Sequence, residues 1–266
     1  MTPDRAPRYM AVLKNAGRMP EVFRCLGVSP DWATVIPAYL GLARPAFPWD
    51  FKTRSGDALS LESFEDLVTA WIIYCRREYT VLSEDRFIVD AGANIGAFSL
   101  YAARTAPRAK IIAIEPFPET RQKLERTVDT NKLADRVEIR DYALAGCDSR
   151  RMMDLGTSDS PSQSRGMFPA GAQDGVAVEA VSLATLLHRE NWSKVDLLKM
   201  DIEGSEHEVF ANATDDTLRR FARISLEYHP NKPRAPLLSR LEAAGFYLRR
   251  DLPVGPDSGV AELERR

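Results

Sequence analysis

A chain of 266 residues with 36 Lys and Arg against 38 Asp and Glu carries a formal net charge of −2. That balance excludes the basic excess of a nucleic-acid binder and the long acidic tail of a solubilising appendage. With 44% hydrophobic and 28% charged residues, it is composed as an ordinary folded soluble protein, long enough for one sizeable core with an elaboration.

The first 50 residues hold helical patches at 8–15 and 21–26, interrupted by Pro20, Pro30, Pro37, Pro45 and Pro48, which predicts a small helical cap. The opening residues carry Arg, Lys and Asp throughout and lack the apolar stretch of a secretory signal. The apolar, proline-rich run VIPAYLGLARPAFPW (35–49) could pack on its own core or on a second copy of the chain, so a homo-oligomer is one expectation. From Glu62 to Arg77, Phe64, Leu67, Val68, Trp71, Ile72 and Cys75 recur at three- and four-residue steps, the apolar face of a helix. The window LVTAWIIYC (67–75) is far shorter than the roughly 20 residues of a membrane span. Cys25, Cys75 and Cys147 are odd in number and far apart with no CxxC pair, which points to a reducing, cytoplasmic setting.

After Arg86 the texture changes to strands alternating with helices. FIVD, KIIAIE, VEIRDYAL, VAVEAVSL, VDLLKMDI, RISLEYH and GFYLRRD read as strands, with helices to about 105, over about 118–131, from about 205 and over about 235–244. Short continuous apolar runs separated by helices predict an open α/β fold, a mostly parallel, Rossmann-like sheet covered on both faces. The expected division is 1–84 as cap and lead-in helix and 85–266 as the ligand-binding domain. Ligands of such sheets sit beyond the carboxyl ends of the strands.

Those ends are acidic. They fall at Asp90, at Glu115 beside Pro116, at Asp141 and Tyr142, at Asp201, Ile202 and Glu203, and at Glu227, Tyr228 and His229. One such acid is ordinarily a turn residue or helix cap, but five strand ends in a row favour a site. In VDAGANIG the strand turns at once into a helix, an arrangement that points free amides into the crevice. The glycines are Gly92 and Gly96, with Asn94 where a dinucleotide fold needs its middle glycine for the pyrophosphate. Asp90, just ahead of the loop, repels phosphate and suits a cation. S-adenosylmethionine is a nucleoside with positive charge and no phosphate, and Glu115, 19 positions after Gly96, stands where a carboxylate accepts both ribose hydroxyls.

VDAGANIGAFSLYAA, AIEPFPE, VDLLKMDIEGSE and ISLEYHP stand in the order and spacing of the FkbM-type S-adenosylmethionine-dependent methyltransferases, which the chain resembles over roughly residues 86–230. The resemblance implies a class I methyltransferase fold and, in many members, methylation of hydroxyls on polyketide or sugar products. It assigns the methionine end of the cofactor to Asp90 and the loop Gly92, Ala93, Asn94 to Gly96. It gives the ribose to Glu115, the adenine edge to Asp141, Tyr142 and Ala143, and the sulfonium side to Asp201.

A hydroxyl acceptor must lose a proton, and a base adds roughly 10²–10⁴-fold. His229 ranks first because imidazole titrates near neutrality, with Asp201 and Glu203 next; Glu206 and His207 are expected to face solvent or stand behind the site. Asp201, Glu203, Glu227 and His229 are also chemically adequate for a divalent metal, which the sequence leaves unknown. The segment 156–175 lacks periodicity and reads either as a lid carrying Met167 and Phe168 onto the acceptor or as a hairpin tip joining MMDL to VAVEAV. The partner is a small-molecule or glycan acceptor, most simply a hydroxylated metabolite. Two other readings stand beside this one: a nicotinamide-dependent oxidoreductase, and a non-catalytic protein that keeps the fold.

Overall fold

A computed structural model describes residues 19–154, 167–169, 175–229, 232–255 and 257–266 of the chain. The chain divides into two compact units, Met1–Arg77 and Glu78–Arg266. In the described part of the first unit, α1 (Met19–Val28) and α2 (Trp32–Tyr39) precede a hairpin of β1 (Trp49–Lys52) and β2 (Ala58–Leu61). Next come α3 (Phe64–Trp71) and a π-helical turn over Ile72–Arg76 that ends at left-handed Arg77. The hairpin was not anticipated; its alternating burial, with Phe51, Leu59 and Leu61 inward, is too short a pattern to stand out from flanking helices. Tyr39 stacks on Trp71 at 4.0 Å and Val35 is fully buried, so half of the proline-rich run packs within its own unit, while Leu42 stays exposed.

The second unit runs β3 (Phe87–Ala91), α4 (Ala97–Thr105), β4 (Lys110–Ile114), α5 (Pro118–Thr130), β5 (Val137–Arg140) and β6 (Ala143–Leu144). It continues through β7 (Ser149–Asp154), β8 (Met167–Pro169), β9 (Gly175–Val181), α6 (Leu183–Arg189), β10 (Val195–Met200), α7 (Glu206–Asn212) and α8 (Asp215–Leu218). Last come β11 (Phe221–Tyr228), α9 (Arg234–Ala243), β12 (Phe246–Gly255) and β13 (Ser258–Arg265). The seven-stranded sheet has the order β12-β13-β11-β10-β3-β4-β5. Five strands are parallel, and β13 enters antiparallel to both β11 and β12. This is the open, mostly parallel, Rossmann-like sheet expected from the sequence.

Burial of both faces explains the continuous apolar runs. Val89, Ile112, Leu198 and Ile224 pack into one core, while Ile88, Ile111 and Leu197 are buried on the other face. VAVEAVSL does not join the main sheet. It forms β9 of a separate four-stranded sheet, β6-β9-β7-β8, in which β7 pairs antiparallel with both β8 and β9. Met167 and Phe168 lie on β8, paired with Met153 and Met152 of β7, and the rest of the proposed lid up to residue 174 lies outside the described residues. Strand order reverses between β3 and β10, so the chain leaves their carboxyl ends in opposite directions and opens a crevice there.

Candidate active site

Side-chain alternation puts the strand-end charges on one face. Asp90 of β3 and Lys199 of β10 are ladder partners, and Asp201 and Glu227 follow two positions along from Lys199 and Ser225, which are themselves partnered. Asp90 is fully buried; its Oδ2 accepts the Ser99 hydroxyl at 2.7 Å, and its Oδ1 lies 3.2 Å from the Lys199 ammonium. The expectation that Asp90 offers a bare negative charge to a ligand is therefore corrected, because the cation beside it is the chain's own. Lys199 stands in a strand that reads as apolar, and the sequence reading passed it over. Tyr79 was missed as well: its ring lies 5.7 Å from the Lys199 ammonium and edge-on to Phe98. Burial, then Asp201 and Glu227, push its phenol well above the ordinary range.

The loop after β3 is not an open amide cradle. The Gly92 and Ala93 N–H groups both donate to the Ile114 carbonyl, the Asn94 N–H to Glu115 Oε2 at 3.0 Å, and the Gly96 N–H to the Ala93 carbonyl. Those amides are engaged, contrary to the free donors expected at this turn. A ligand whose affinity depends on phosphate–amide bonds finds few here. The two glycines answer internal packing. A Cβ on Gly92, at φ +76, would lie 1.8 Å from the Asp201 carbonyl oxygen, and one on Gly96 would meet Leu124 of α5 at 2.8 Å.

Glu115 follows β4 directly. Its two oxygens each accept one backbone N–H, from Phe117 and Asn94, which leaves lone pairs for two further donors. Burial pushes this carboxyl up to about 7 against the pull of the Phe117 and Asn94 amides. Asp141 is exposed between β5 and β6. Tyr142 is buried in the core with its hydroxyl donating to Glu190 Oε1, and Ala143 pairs with Ala180 of β9. Of these three, only Asp141 is open to a ligand.

The other half of the crevice collects acids around one imidazole. His229 Nε2 lies 3.9 Å from Asp201 Oδ1 and 3.6 Å from Glu206 Oε1, and Nδ1 lies 3.9 Å from Glu203 Oε2. These separations are too long for hydrogen bonds, and Nε2 is buried with no partner. Burial by itself would lower the imidazole; Glu206, Glu203 and Asp201 outweigh it and hold His229 above its ordinary value. Glu206 is 1% exposed and accepts the Ile202 N–H, which excludes the solvent-facing alternative and leaves it behind His229; the i,i+4 reach from the DIEG turn back over the α7 start produces this contact. Neighbouring His207 is only partly buried. Ligand atoms of Asp201, Glu227 and His229 lie within 4.8 Å of one another, close enough to share a cation.

Strain marks the same turn. Glu203 sits at φ 56 and Gly204 at φ 91, so a side chain is held in the left-handed region where roughly 1 kcal/mol is lost. Burial, then Asp201, push its carboxyl up to about 7. Glu203→Gly is expected to raise stability by about 1 kcal/mol in denaturant melts while slowing turnover. A variant less stable than the parent would show that the carboxylate is a structural contact.

Burial, then Asp201, push Glu227 up to about 10, so the fold keeps this proton through neutrality whereas the unfolded chain releases it near 4.5. A carboxyl raised in this way withdraws stability as pH climbs from the lower value to the upper. Glu227→Gln is therefore expected to melt higher than the parent at about pH 9 and close to it at about pH 4. Parallel melting curves across that window would show that Glu227 does not carry the titration.

Residues 90–248, well over half of the chain, match the model of the methyltransferase FkbM domain. The chain belongs to the FkbM methyltransferase family. Methyltransferase sdnD of Sordaria araneosa is 30% identical over 199 residues, covering 64% of this chain and 77% of its own. Hexuronic acid methyltransferase AglP of Haloferax volcanii is 26% identical over 146 residues, covering 55% and 57%. The AMB antimetabolite synthetase AmbE of Pseudomonas aeruginosa is 27% identical over 209 residues, but that match spans only 10% of AmbE. Among solved structures, a methyltransferase FkbM from Methylobacillus flagellatus superposes with a TM-score of 0.46 at 13% identity, covering 96% of this chain and 60% of that one. No described helix is long and apolar enough to cross a membrane.

Proposed function

We propose that this FkbM-family methyltransferase methylates a hydroxyl of a sugar, glycan precursor or polyketide-like metabolite, using S-adenosylmethionine. The observation that carries the reading is the acidic crevice itself: engaged loop amides on one side, and carboxylates with acceptor capacity on the other. The donor set fits a cationic nucleoside with a vicinal diol. Glu115 would accept the two ribose hydroxyls, the 92–96 turn and Asp201 would border the methionine end, and Asp141 is the exposed candidate at the adenine edge. Asp90 acts from behind the loop through Lys199 and Ser99.

When bound, S-adenosylmethionine supplies a methyl group on positively charged sulfur. The chain's contribution is to place the acceptor oxygen in line and to take its proton, holding reacting atoms at about 3–3.5 Å. His229 accepts that proton at Nε2, the unpartnered nitrogen, and Glu206, Glu203 and Asp201 stabilise the imidazolium that results. The named methylation of a hexuronic acid by AglP supports a sugar-type acceptor. The test is transfer of labelled methyl from S-adenosylmethionine to fractionated cell extract, read by mass spectrometry, with and without exhaustive chelation. A methyl ether on a hydroxylated product supports the assignment, methylated amines or carboxylates overturn it, and activity through chelation removes any role of a divalent cation at Asp201, Glu227 and His229. Calorimetry with S-adenosylhomocysteine against NADH separates this reading from an oxidoreductase. A chain that binds neither is a non-catalytic member of the fold.

A further inference from the structure

Lys199 is the one lysine buried among the described residues, 4% exposed in the middle of a parallel sheet. An ammonium so placed must be paired, and Asp90, its ladder partner, supplies the opposite charge. Charge balance explains why both are present, but not how the ammonium is aimed. Although Lys199 Nζ lies 3.2 Å from Asp90 Oδ1, that oxygen receives no hydrogen bond of acceptable geometry. The shortest contact of Nζ is instead the Gly92 carbonyl, at 2.8 Å, with the Ala91 carbonyl at 3.4 Å and Asp201 Oδ2 at 3.8 Å. A counter-ion needs only proximity. A donor directed at a carbonyl fixes a backbone.

The backbone in question is the turn after β3. Gly92 is left-handed at φ +76, and two residues later the Asn94 N–H donates to Glu115 Oε2. Holding the Gly92 carbonyl sets where Asn94 stands, and Asn94 sets one oxygen of the carboxylate assigned to the ribose. We propose that Lys199 is the positioning residue for the cofactor half of the site, acting through the Gly92 carbonyl and the Asn94 amide on Glu115. This rests on the reading of the crevice as an S-adenosylmethionine site.

The test uses the full chain, with S-adenosylhomocysteine calorimetry and thermal melts on the parent, Asp90→Asn, and Asp90→Asn/Lys199→Met. Asp90→Asn leaves the ammonium on the Gly92 carbonyl and should keep affinity within about tenfold of the parent, the scale of one neutral hydrogen bond. Asp90→Asn strands the buried ammonium whereas the double variant removes both members of the charge pair, so the double variant should melt no lower than Asp90→Asn. Its affinity should fall about 30-fold further, the scale of a charge-assisted bond. Equal affinity in the two variants, or a loss in Asp90→Asn as deep as in the double, overturns the proposal and leaves Lys199 a counter-ion. If the double variant does not fold, Asp90→Asn decides: retained affinity supports the assignment and lost affinity overturns it. A parent chain that binds no S-adenosylhomocysteine refutes the cofactor reading itself and takes this proposal with it.

Discussion

Replacing His229 with Asn is expected to lower turnover by ~10²–10⁴-fold, the range a positioned base contributes, while S-adenosylhomocysteine affinity stays within about threefold. The reasoning is local. His229 directly follows β11, its Nε2 is buried without a partner, and three acids able to stabilise its charged form surround it. Because those acids hold the imidazole above 6.5, the acid limb of the turnover profile should fall on the alkaline side of that value. A base must be unprotonated to act, so turnover rises with pH through the limb and is lost below it. Glu206→Gln removes a nearby negative charge and should move the limb toward acid. A His229→Asn enzyme that keeps both its rate and its acid limb would transfer the role to Asp201 or Glu203.

The second large effect concerns Gly92. Gly92→Ala is expected to abolish S-adenosylhomocysteine binding and to lower stability by about 2–4 kcal/mol, from overpacking together with a left-handed alanine. The added carbon would sit 1.8 Å from the Asp201 carbonyl oxygen and 2.9 Å from its carbon, both backbone atoms at the end of β10 that no rotamer change can move. Gly245 is the control, since it is left-handed at φ +95 with nothing within 4 Å of its Cβ position. Gly245→Ala should cost about 1 kcal/mol and leave binding unchanged. Calorimetric titration and urea melts on both variants decide it. A Gly92→Ala chain no worse than Gly245→Ala would show that β3 and β10 do not approach as closely as described.

Asp90 was expected to select a cation by its charge, yet Lys199 neutralises it. What disfavours pyrophosphate in the proposed site is the engagement of the Gly92, Ala93, Asn94 and Gly96 amides, which leaves few donors for it, while Glu227, protonated through neutrality, adds no charge against it. In the proposed site the discrimination against phosphate therefore lies in the engaged backbone of the 92–96 turn and not in the charge of Asp90.

Much of this molecule is written in local pattern. Continuous apolar runs such as KIIAI and VDLLKM, separated by helical stretches, determine a parallel sheet, because only strands buried on both faces dispense with polar alternation. The place of each strand in chain order then brings Glu115, Asp201, Glu227 and His229 to one rim, since strands in a parallel sheet all end on the same side. Short-range signals failed in two places: the β1–β2 hairpin falls between the helical patches and the helix from Glu62 with no pattern long enough to mark it, and VAVEAVSL looked like a strand of the main sheet although it pairs in a separate one.

What only the tertiary structure decided is which of these charges face each other. Lys199 reaches the carbonyl of Ala91, 108 positions away in the chain, and Glu206 turns inward to His229 although its own helix reads as solvent-facing there. Such pairings depend on register across strands joined by long crossovers, and on where one helix start is laid against a strand end. Neither quantity has a counterpart in residue spacing, because the energy that fixes them, burial of the whole sheet, is shared among residues far apart in sequence.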